Sequence, residues 1–138
     1  MAPRQPAQRR YARRVAIALA VYAIGMVAAK YLIAQGGMSG PLAFALALVP
    51  GLAVVGVIYA IGMLIVEQTD EFLRMLLVRQ NLIAIGFALS LASIWGFLEA
   101  FDLVPHVAAF YIVVVWSIGL LLGALVNRVT HGTWGNCW

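Results

Sequence analysis

Pro41-Leu-Ala-Phe-Ala-Leu-Ala-Leu-Val-Pro50-Gly-Leu-Ala-Val-Val-Gly-Val-Ile-Tyr-Ala60-Ile-Gly-Met-Leu-Ile-Val66 runs from its opening proline to its closing valine without one charged side chain. As a helix rising about 1.5 Å per residue, such a stretch is long enough for the roughly 30 Å hydrocarbon layer of a bilayer. Three further apolar stretches, 15–34, 72–99 and 107–126, meet the same test, and with them the chain of 138 residues is nearly used up. Only 10% of its residues are charged and its mean hydropathy is +0.99, whereas a soluble domain carries about a quarter charged residues. The sequence therefore predicts an all-α polytopic membrane protein, a bundle of four transmembrane helices. Residues 1–14 form a basic tail, 15–128 the membrane domain and 129–138 a short second tail.

Proline and glycine punctuate these spans. Gln35-Gly36-Gly37-Met38-Ser39-Gly40 reads as a tight exposed connection, and Pro41 suits the first position of the second helix, where its missing N–H has no helical partner. Pro50 falls inside that helix, removes a backbone hydrogen bond and predicts a kink. Between spans two and three lies the most polar internal segment, Glu67 to Gln80. Thr69 or Asp70 can cap the third helix, and acidic residues suit its N-terminal dipole. Phe72, Leu73, Leu76 and Leu77 make one apolar face, with Asp70, Arg74 and Gln80 turned toward water or headgroups. Ala100 to His106, ending with Pro105, connects spans three and four.

The arginines set the orientation. Arg4, Arg9, Arg10, Arg13 and Arg14 precede the first span, Arg74 and Arg79 separate the second from the third, and Arg128 follows the fourth. Four spans put all eight on one side, so the positive-inside rule predicts that both termini and the central acidic-basic loop are cytoplasmic. The first span has no small-x-small cleavage site after it and is expected to stay in the mature protein, its arginine pairs read as helix flanks and not as an export signal. The N-terminal tail is expected to lie on anionic lipid through Arg9, Arg10, Arg13 and Arg14. No motif supports direct nucleic-acid binding.

Chemistry-bearing residues are scarce. Cys137 has no partner for a disulfide or a metal site, and the two histidines, His106 and His131, fall at or beyond helix ends. No catalytic residues, cofactor-binding residues or metal ligands are assigned, and an enzyme is not expected. Lys30 and Glu99 occupy comparable depths near the outer ends of spans one and three and form a candidate intramembrane pair. The other reading is that Lys30 snorkels to the headgroups while Glu99 lies in the interface beside Trp95. Helix-packing signals are richer. Gly119 and Gly123 form a GxxxG pair, Ala43, Ala47 and Gly51 a ridge on span two, and Gly86, Ser90 and Ser93 a comparable surface on span three.

Glu67-x-x-Asp70-Glu71-Phe72-x-Arg74, Trp95-Gly96-Phe97-Leu98-Glu99 and Pro105 resemble a group of small four-span inner-membrane proteins of proteobacteria, from the first span through the fourth. That group is often encoded beside a short helix-turn-helix transcriptional regulator and has no established activity to transfer. The resemblance implies a membrane protein that controls or anchors a cytosolic DNA-binding partner. The 67–79 segment is the one structured polar surface on the expected cytoplasmic side, so Glu67, Asp70, Glu71 and Arg74 are the candidate partner-binding residues. Their alternative use is local, as cap and ion pairs of the third helix. The leading expectation is thus a non-enzymatic membrane regulator or scaffold. An accessory subunit of a larger respiratory or photosynthetic membrane complex, and a small oligomeric transporter or channel, are the alternatives.

Overall fold

The computed structural model describes residues 6–134. Its elements are all helical: α1 (Pro6–Ala29), a π-helical turn over Lys30–Gln35, α2 (Pro41–Glu67), α3 (Glu71–Ala100) and α4 (Tyr111–His131). All four helices, the first counted with its π-helical end, are long and apolar enough to cross a membrane. Where the sequence treats 15–128 as one membrane domain, the contacts fall into two compact units, Met1–Gln68 and Thr69–Trp138.

The first unit is the hairpin of α1 and α2. Small residues let the two backbones close up: a Cβ on Gly25 would stand 2.8 Å from Val49 Cγ1, and one on Gly56 would touch Ala18 at 3.6 Å. As positions rise on α1 their partners fall on α2, so the pair is antiparallel. α1 starts at Pro6, where a helix N-terminus tolerates proline. Its last turn widens into the π-helical segment, and Gly36 ends it because a side chain there would meet the Leu32 carbonyl at 2.8 Å. The Met38 N–H returns to that carbonyl at 3.0 Å. Gly37 and Gly40 then take φ of +66° and +83°, conformations that other residues reach only with strain. α2 begins at Pro41 as expected and continues unbroken through Pro50 to Glu67.

The second unit is the antiparallel hairpin of α3 and α4, held by a ladder with a step of four residues. Leu76 faces Asn127, Gln80 faces Gly123, and Ala84 faces Gly119. A Cβ on Gly119 would lie 2.7 Å from Ala84 Cα, and one on Gly123 2.7 Å from the Gln80 carbonyl oxygen. These glycines are where the two backbones meet. Lipid offers no hydrophobic drive for helix association, so close packing and interhelical hydrogen bonds must hold the pair. Two such bonds join the helices here, Gln80 Nε2 to the Leu120 carbonyl between the glycines and Asn127 Nδ2 to the Leu76 carbonyl one turn beyond them, each at 2.9 Å.

Two sequence expectations change here. Gln80 turns inward, not toward water, because Gly123 leaves room for its chain and the Leu120 carbonyl accepts its amide. The fourth helix is displaced toward the C-terminus relative to 107–126. The Val107 N–H bonds the Glu99 side chain, and the chain tightens through Tyr111→Ala108 and Ile112→Ala109 bonds of 3.1 Å before regular helix sets in. At its other end α4 runs on to His131 and stops at Gly132, φ +69°, whose N–H returns to the Arg128 carbonyl.

Candidate functional site

Polar side chains gather at three places, two at the arginine-rich helix ends and one at the opposite end of the second unit. In the first unit, Arg10 and Arg14 are one turn apart on α1, and the antiparallel hairpin sets the last residue of α2 opposite them. Arg14 Nη2 donates to Glu67 Oε1 at 2.9 Å, while Arg10 Nε stands 3.2 Å from Oε2 in ion-pair range without hydrogen-bond geometry. The Glu67 side chain is only 16% exposed. Its partners are thus inside its own unit, which narrows the outward-facing acidic set to Asp70 and Glu71. Of the four tail arginines assigned to lipid headgroups, Arg10 and Arg14 are engaged by Glu67, while Arg9 and Arg13, about a quarter-turn away around α1, lie exposed.

The second unit starts with a cap. Asp70 Oδ1 accepts the N–H groups of Phe72 and Leu73 at 2.9 and 3.3 Å, satisfying donors that the first helical turn leaves unpaired. Glu71, 80% exposed, accepts from Arg74 Nη1 at 2.9 Å across one turn. The local roles anticipated for these three residues are therefore all in use. Glu71, Arg74, Met75, Val78, Arg79 and Leu82 share one open, shallow face of α3. Arg79 reaches across to the last turn of α4, donating to Thr130 Oγ1 at 3.2 Å and meeting His131 Nε2 at 2.8 Å. A guanidinium only donates, so Nε2 is the acceptor in that contact. The Phe72 ring stands edge-on to His131, 5.8 Å between centroids, and Arg128 lies 4.9 Å over the Trp134 ring.

At the opposite end of the second unit, the Glu99 carboxylate takes the His106 imidazole on Oε1 and the Val107 N–H on Oε2 at 3.4 Å. The turn between them is a Schellman motif: Leu103 N–H to the Leu98 carbonyl at 2.9 Å and Asp102 N–H to Glu99 at 3.0 Å, with Asp102 at φ +56°. Aspartate is one of the few side chains that visit this region readily. Glu99 thus has its partners within its own unit. Lys30, the other half of the intramembrane pair anticipated from sequence, lies exposed on the π-helical turn of the first unit.

The small-residue surfaces divide into used and open ones. Gly119 and Gly123 are buried against α3. Gly51 and Gly86 have nothing within 4 Å of a built Cβ, and Ala47, Ser90 and Ser93 are exposed with them, while Ala43 is half-buried. Among the described residues no three of His, Cys, Asp and Glu gather closely enough to hold a metal ion. Arg4 and Cys137 lie outside the described residues. Sequence reasoning missed the contact of Arg79 with Thr130 and His131, because it ended the last span at Val126. The basic residues Arg128 and His131, which suit a helix C-terminus, were the available signal. Comparison with family models, with curated proteins and with solved structures gives no match for this chain.

Proposed function

We propose that this is a non-enzymatic multi-pass protein of the bacterial inner membrane that acts through protein contacts, a regulator or scaffold for a cytosolic partner, with its arginine-rich helix ends in the cytoplasm. The orientation rests on the positive-inside rule. One observation carries the functional reading: Glu71, Arg74, Met75, Val78 and Arg79 recur at helical spacing along one open face of α3. Such a face combines charge with exposed Met75 and Val78 near the helix end that the positive-inside rule assigns to the cytoplasm. A helix laid against it would bury apolar side chains and read the charges for specificity. A helix-turn-helix regulator, whose surface is helical, is the partner class the family resemblance implies.

The test is capture from native membranes in mild detergent with tagged protein, comparing the parent with a Glu71→Gln/Arg74→Gln variant. Asp70 is left in place because its loss would also unwind the start of α3. A cytosolic DNA-binding protein recovered with the parent and lost with the variant supports the reading; equal recovery from both refutes it.

A second reading has its own support. The open surfaces at Ala47 and Gly51 on α2 and at Gly86, Ser90 and Ser93 on α3 would let another transmembrane helix approach closely. That favours an accessory subunit of a larger membrane complex, or a homo-oligomer. In the same capture experiment it predicts membrane subunits recovered equally with both variants.

A further inference from the structure

We infer that α1 carries a binding site for one anionic phospholipid, its phosphate held by Arg9 and Arg13 and its acyl chains lying along the outer face of the same helix. The inference does not depend on the protein-contact reading. It is also narrower than a general attraction of a basic tail to a charged membrane, because the structure sorts four neighbouring arginines into two pairs. Arg14, partly buried, and Arg10, half exposed, both meet Glu67, at 2.9 and 3.2 Å. Arg9 and Arg13, one turn apart and about a quarter-turn around the helix from that pair, are exposed and make no ion pair among the described residues.

Their geometry suits a phosphate. Two guanidinium groups one helical turn apart can both donate to the oxygens of one phosphodiester, and such charge-assisted bonds are strong. Glu67 also matters for the field at the site. Its single negative charge is enclosed between Arg10 and Arg14, which leaves this helix end strongly cationic and keeps the carboxylate away from an incoming anion. Continuing the Arg9–Arg13 face along α1 at helical spacing gives Ala16, Ile17, Ala20, Ile24 and Val27, all exposed. Ile17, Ile24 and Val27 are 59%, 70% and 56% exposed, an apolar strip for an acyl chain directly below the charges. Charge complementarity above and hydrocarbon below select a lipid with a net negative headgroup.

The experiment uses the full chain reconstituted in nanodiscs of phosphatidylcholine with one-fifth phosphatidylglycerol, ejected for native mass spectrometry so that retained lipids are counted. Near a charged surface each arginine adds roughly a fivefold preference, so the pair adds on the order of thirtyfold. The parent should retain phosphatidylglycerol well above its share of the disc. Arg9→Gln/Arg13→Gln should bring retention down to that share, Arg9→Lys/Arg13→Lys should keep most of it, and Lys30→Gln should leave it unchanged. Circular dichroism of each variant checks that the helices persist. Retention that follows disc composition in the parent, or that survives Arg9→Gln/Arg13→Gln, overturns the proposal; so does equal loss in the lysine variant, which would mark a packing role for these positions in place of a charge role.

Discussion

Replacing both Gly119 and Gly123 by alanine should open the second hairpin, and the size of the effect follows from the ladder between α3 and α4. At each glycine the added methyl would lie 2.7 Å from an α3 backbone atom, so the helices must move about 0.7 Å apart to regain ordinary contact. Overpacking of this kind costs about 1–3 kcal/mol per site. Alanine's better helix propensity returns up to about 1 kcal/mol at each. The shift also loosens the Gln80–Leu120 and Asn127–Leu76 hydrogen bonds, worth about 0.6 kcal/mol apiece in a membrane protein. The net destabilisation is about 3 kcal/mol, on the order of a hundredfold in the ratio of open to closed hairpin. All four tryptophans fall in residues 69–138, so tryptophan fluorescence excited beyond the tyrosine absorption band reports on this unit during a titration from mild detergent into SDS. Gly86→Ala is the matched control: a methyl there meets nothing within 4 Å, and the titration midpoint should stay put or rise. If the Gly119→Ala/Gly123→Ala protein unfolds at the same midpoint as Gly86→Ala, the account of what holds α3 to α4 is refuted.

Other perturbations separate the remaining local roles. Asp70→Ala should cost about 1 kcal/mol and speed amide exchange at Phe72 and Leu73, whereas Asp70→Asn should change little, because asparagine caps equally well; hydrogen exchange with mass spectrometry reads both. Asn127 is fully buried and its Nδ2 donates to the Leu76 carbonyl, so Asn127→Asp places an acceptor against an acceptor and buries a charge. It should destabilise the hairpin by about 3–5 kcal/mol in the same fluorescence titration, and a shift under 1 kcal/mol would show that this contact is dispensable. His106→Ala and Glu99→Gln should each raise exchange in residues 101–110 without affecting Asp70-capped α3, and no change in that loop would mean the Glu99–His106 contact does not restrain it.

Much of this was legible in the sequence because the bilayer is a demanding solvent. A chain that must satisfy every backbone group internally across the hydrocarbon has little choice but helix, so the charge-free run 41–66 defines α2 almost to the residue. Asp70 was readable as a cap because short acidic side chains reach the first free N–H groups. GxxxG spacing pointed to close packing, but only the coordinates assign it to α3. Three features depend on tertiary partners and left weaker traces. The start of α4 shifts because Glu99 holds Val107 out of the helix. Gln80 looks polar in sequence yet points inward because the residue facing it is glycine. The division of Arg9, Arg10, Arg13 and Arg14 into two faces was implicit in their spacing, but which face is neutralised depends on where α2 brings Glu67. The π-helical turn at Lys30–Gln35 has no sequence signature that we can identify.

The central claim, that the exposed face at the start of α3 receives a cytosolic protein, is tested most directly by site-specific photocrosslinking in intact cells. A photoreactive side chain is placed at Met75, on the Glu71–Arg79 face, or at Leu89, exposed further along the same helix. The account predicts one discrete adduct with a soluble cytosolic protein from Met75, lost when Glu71→Gln/Arg74→Gln is added, and none with a soluble protein from Leu89. The same adduct pattern from both positions, or lipid adducts alone from Met75, would contradict it.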